Sequence, residues 1–137
     1  MAGKDITRAN ITEYTLIQPM LQAVYEEFKE FSKKKQDGVI NKIKIKHVNR
    51  ILERVMALLA GESTTAFLDL VEEDAIPTNS DVVLIITQFV TALNKFKNDH
   101  QSLHSGYYRW NVMEEVDGDQ DDVEDEGLAD EDDENEL

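Results

Sequence analysis

At 137 residues the chain is long enough for one domain with a sizeable core, and its lack of cysteine excludes disulfides, thiolate nucleophiles and Cys-held zinc or iron–sulfur centres. The net charge of −15 is spread unevenly: residues 1–110 hold 14 Lys/Arg against 14 Asp/Glu, whereas residues 111–137 hold 15 Asp/Glu and no base. The low pI therefore describes an acidic appendage on a neutral domain, which argues against a dedicated nucleic-acid binder. The opening M-A-G-K-D-I-T-R-A-N lacks the apolar core of a signal peptide, and its glycine stands at position 3, where the myristoylation pattern fails. No apolar run approaches the roughly 20 residues that span a bilayer, so a soluble cytoplasmic protein is expected.

Residues 1–10 are expected to fray. From Ile11 onward, Tyr14, Ile17, Met20/Leu21, Val24/Tyr25, Phe28 and Phe31 recur at helical spacing. Pro19 lies inside this pattern, either as the first residue of the helix proper or as a kink in a longer one. The first reading gives a helix over residues 19–34, stopped by the turn Gln36-Asp37-Gly38. Residues 39–60 show a second apolar face in Ile40, Ile43, Val48, Ile51/Leu52, Val55 and Leu58/Leu59, ended by Gly61. Residues 42–46 alternate as a strand would, so the first turns of this helix are open to either reading.

A short third helix is predicted over residues 66–73, with Phe67, Leu68, Leu70 and Val71 inward, and Ile76-Pro77 serves as the hinge after it. Residues 78–104 form the element around which the domain is organised. Val82, Ile85/Ile86, Phe89, Leu93 and Phe96 make a helical stripe, with Val83, Leu84 and Val90 leaving its first half apolar nearly all round. Thr78, Asn79 and Ser80 are all good caps for its start. The β-branched run at residues 82–86 fits a buried strand as well, but length and the continuation to Phe96 favour helix. Ser105-Gly106 is expected to end it. The fold expected is all-α: a small four-helix bundle-like domain over residues 1–110, followed by a disordered acidic C-terminal tail over residues 111–137.

Four features carry candidate chemistry. The acidic tail has too few apolar residues to offset chain entropy; it reads as a solubilising segment or as an electrostatic ligand for a basic surface. Its Asp117–Glu126 piece lacks the spacing of an EF-hand loop. Residues 33–54 hold eight of the chain's 14 bases against Asp37 and Glu53, and Lys42, Lys46, Arg50 and Arg54 fall four apart in a drifting helical stripe that suits a phosphate backbone or simply faces water. Tyr107, Tyr108, Arg109 and Trp110 form an aromatic cluster at the border of the tail, placed either to bind a partner or to seal one end of the bundle. His100 and His104, four apart at the end of the central helix, share one helix side, but two ligands do not make a metal site.

For catalysis the chain offers no G-x-S-x-G, Walker or dinucleotide motif, and neither Arg50 nor Arg54 is followed four to six residues later by histidine. The expected function is a non-catalytic binding or regulatory subunit, without cofactor or metal, whose tail engages a basic protein partner or shields a basic surface. The alternative is a nucleic-acid-associated protein that uses the residue 33–54 stripe and is autoinhibited by the tail.

Overall fold

Thr7 opens the first helix with a reciprocal cap: its hydroxyl accepts from the Asn10 amide at 3.3 Å, and the Asn10 side chain accepts from the Thr7 amide at 2.9 Å. The computed structural model describes residues 6–112. The first helix, α1, runs unbroken over Arg8–Lys34 with Pro19 inside it. The expected start at Pro19 is therefore corrected. Pro19 and Thr15, whose carbonyl loses its amide partner, both lie on the exposed face, where water can take up the freed carbonyl. Fraying at the N-terminus is also corrected from residue 6 onward, because Ile6 is wholly buried.

Helix α2, Lys42–Leu58, starts from an Asn41 side chain that accepts the Lys44 amide at 2.9 Å. Its inward face is Ile45, Val48, Leu52, Val55 and Leu58. Ile43, expected inside, is exposed, because two positions before Ile45 is nearly the opposite side of a helix. Helix α3, Asn79–His100, opens on a second reciprocal cap between Thr78 and Asp81. It buries Val82, Ile86, Phe89, Ala92, Leu93 and Phe96. Both strand alternatives, at residues 42–46 and 82–86, are thereby settled as helix.

The contacts set the directions of these elements. Arg54 near the end of α2 meets Glu13 near the start of α1, and Val39 before α2 bridges Thr78 before α3. Hence α2 and α3 run parallel to each other and antiparallel to α1. Joining the end of α2 to the start of α3 requires a connection that climbs back along the bundle, and residues 59–78 supply it. The expected fourth helix does not form there. The connection holds two short 3-10 turns, Ser63–Phe67 and Glu73–Ala75, neither with a side-chain cap, around an extended middle. Leu68 and Val71 point inward while Phe67, Asp69 and Glu72 face water. The four-helix bundle is thus corrected to three helices and a strap.

Asn49 of α2 pins the strap in place. Its amide donates to the Val71 carbonyl and its carbonyl accepts the Val71 amide, both at 2.9 Å. Asn49→Ala leaves both backbone groups without a partner at a part-buried position. It is expected to cost about 1–3 kcal/mol in urea unfolding, and an unchanged midpoint would show that the strap is held by packing alone.

The chain after α3 also departs from expectation. Gln101–His104 (β1) and Tyr107–Trp110 (β2) form an antiparallel hairpin. Ser105 and Gly106, read above as a helix stop, are its two-residue turn, with φ of 50° and 88° as a tight twisted hairpin requires. The Asn111 amide then donates to the His100 carbonyl at 2.6 Å, and Val112 bridges Ile6. The expected disorder of the acidic tail concerns residues that, from Met113 on, lie outside those described.

Candidate binding surfaces

Lys42, Lys46 and Arg50 stand on the exposed side of α2, about 6 Å apart in rise at each step. None forms an ion pair among the described residues. Arg54, the fourth member of the stripe, is occupied: its Nε and Nη2 donate to Glu13 Oε2 and Oε1 at 2.8 and 2.7 Å. That two-pronged geometry holds the guanidinium against α1 and leaves the open stripe three residues long. At its upper end the corner between α1 and α2 forms a hollow of about 340 Å³ lined in part by Lys34, Lys35 and Lys44. Lys44 Nζ sits 4.5 Å over the Phe31 ring, which fixes one of these cations in place.

The aromatic segment divides. Trp110 turns inward, its ring 5.0 Å from Tyr14 edge-on and 6.0 Å from Phe96, and it packs against the core. Burial in this cluster raises the Tyr14 phenol above its ordinary pKa, so that side chain stays neutral across the physiological range. Tyr107, Tyr108 and Arg109 face water on the hairpin.

His100 and His104 do not share a helix side. Helix α3 ends at His100 and His104 belongs to β1. His100 is instead buried, 4 % exposed, and its Nε2 is hydrogen-bonded to Oε2 of Glu62, itself 6 % exposed, at 2.9 Å. The imidazole also lies 4.7 Å from the Phe96 ring. This pair fastens the start of the strap to the end of α3 inside the protein. The sequence carried no signal for it, because 38 positions separate the partners and Glu62 follows Gly61 like any polar loop residue. Among the described residues no group of three or more His, Cys, Asp or Glu is placed to hold a metal ion.

A second surface lies between the strap and α3. Two adjoining hollows of about 410 and 440 Å³ share Asp69, Leu84 and Ile85, and so form one groove. Phe67 on the strap is 71 % exposed and Leu84 on α3 is 64 % exposed. The first half of α3, apolar nearly all round, is left open on this side, because an extended strap is thinner than a helix. The charge of this side is one-signed. Between Arg54 and Lys95 the chain has no lysine, arginine or histidine but six acids, of which Asp69, Glu72, Asp74 and Asp81 are exposed. The neutral total of residues 1–110 thus conceals a basic side on α2 and an acidic side on the strap.

No helix among the described residues is long and apolar enough to cross a membrane. Compared with protein-family models, with curated proteins and with solved structures, the chain matches none.

Proposed function

We propose that this protein is a non-catalytic binding or regulatory subunit of the cytoplasm, in which the acidic tail guards the basic side of the helical domain until a basic protein partner draws it away. The observation that carries this reading is that Lys42, Lys46 and Arg50 lie open, with no ion pair among the described residues, on a chain that carries fifteen acids within its last 27 residues. The reach is sufficient. The described chain leaves the domain at Val112 beside Ile6, the end of the bundle where α1 begins and α2 finishes. From Arg54 to Lys42 is about 18 Å of helix, whereas the following 25 residues span about 80 Å when fully extended. Tethering raises the effective concentration of tail at the stripe to roughly millimolar. Exposed pairs are individually weak and are screened beyond about 8–10 Å at ordinary salt, so the contact is loose and dependent on ionic strength.

Removing residues 113–137 spares every described contact and is expected to unmask retention of heparin or duplex DNA at about 50 mM salt. Replacing Lys42, Lys46 and Arg50 with glutamine then abolishes that retention, whereas Arg54→Gln changes it little because Arg54 is committed to Glu13. A truncated protein that keeps its thermal midpoint yet retains no more polyanion than the full chain would refute self-shielding. The same columns test the alternative, a nucleic-acid-associated protein working through the open stripe, which requires the truncated protein to hold DNA at physiological salt.

A further inference from the structure

The groove between the strap and α3 is not used by the tail contact, and its chemistry differs from that of the basic side. We infer that it is a docking site for a basic amphipathic helix of a partner protein, which would lie where the fourth helix of the bundle is missing. Its floor is apolar, built from Leu70 and Ile85 and flanked by the exposed Phe67 and Leu84. From Asp81 to Gln88 it follows α3 for about 10 Å, close to two helical turns. A docked helix with apolar anchors three and four residues apart matches that length.

The charge selects the occupant. Asp69, Glu72 and Asp81 line the hollows, Asp74 is exposed in the same stretch of chain, and no base lies between Arg54 and Lys95 to offset them. The chain's own tail, with fifteen acids, is repelled from this site. A second copy of the chain fits poorly. Its basic helix α2 exposes Ile43 but buries Ile45, Val48, Leu52 and Val55, so it offers one anchor where the groove takes two or more. Its α1, which exposes Leu16 and Met20, follows them with the exposed acids Glu26 and Glu27, which the acidic rim repels. What remains is a partner helix with lysine or arginine on its flanks and leucine-like anchors on one face.

The test uses the full isotope-labelled chain and a 14-residue leucine–lysine peptide with its leucines on one helical face. Two controls are a scrambled peptide of the same composition and a twin with glutamate for lysine. The expected result is amide shift changes at Phe67, Leu70, Leu84, Ile85 and Gln88 with the amphipathic lysine peptide alone. Leu84→Glu and, independently, Phe67→Glu weaken its binding about tenfold or more. Both substitutions alter exposed positions and leave the tail intact, so tail binding is a constant background and thermal midpoints report folding. Shift changes confined to residues 113–137, equal affinity in the variants, or equal response to the glutamate twin would each overturn the inference. So would self-association without peptide that Leu84→Glu abolishes. None of these outcomes bears on polyanion retention by the basic side.

Discussion

Phe89→Ala is expected to lower the unfolding free energy by about 3–5 kcal/mol, the range for large aromatic truncations in packed cores. Phe89 is completely buried midway along α3, between Ile86 and Leu93 on the stripe that faces the other helices. Truncation removes its ring contacts and leaves a cavity that three helices of fixed crossing cannot close. A loss of that size approaches the whole stability of a small domain, about 5–15 kcal/mol. Urea unfolding decides the matter. A loss under about 1 kcal/mol would mean that α3 is not the centre of the packing.

The second large effect concerns the buried pair. Glu62→Ala strips His100 of its partner at a site closed to water, and is expected to cost about 3 kcal/mol. Glu62→Gln keeps an acceptor in place and should cost much less. Replacing both residues together, Glu62→Leu with His100→Phe, should recover most of the loss, because an apolar pair of similar volume leaves nothing unsatisfied. Urea unfolding of the three proteins separates the roles. If the single alanine variant is as stable as the parent, Glu62 does not fasten the strap to α3.

The three helices were legible because each carries a long apolar period, and Thr78 and Asp81 marked the start of α3. The caps at Thr7 with Asn10 and at Asn41 were not read, since Pro19 resembles a first helical residue and residues 42–46 alternate like a strand. The strap was not legible. Phe67-Leu68-Asp69-Leu70-Val71-Glu72 fits a helical turn and an extended run equally well, and what favours the extended form is a distant residue, Asn49, taking both backbone groups of Val71. The hairpin does carry a local signal. Tyr-Tyr-Arg-Trp is rich in strand formers and follows a two-residue Ser-Gly link. For the binding surfaces, the basic stripe was readable from spacing alone. The loss of Arg54 to Glu13 was not, since the partners lie 41 positions apart. The acidic groove was half visible: the base-free stretch is a property of the sequence, but its apolar floor exists only because the strap fails to cover Leu84.

The proposed contact between tail and basic side is tested most directly by a spin label. The chain has no cysteine, so Gly127→Cys gives a single attachment point within the tail. At about 50 mM salt the label should broaden the amide signals of Lys42, Lys46 and Arg50 while sparing those of Asp69 and Leu84, and about 0.5 M salt should relieve the broadening. Undisturbed signals on α2 at low salt, or equal broadening around the acidic groove, would contradict the account.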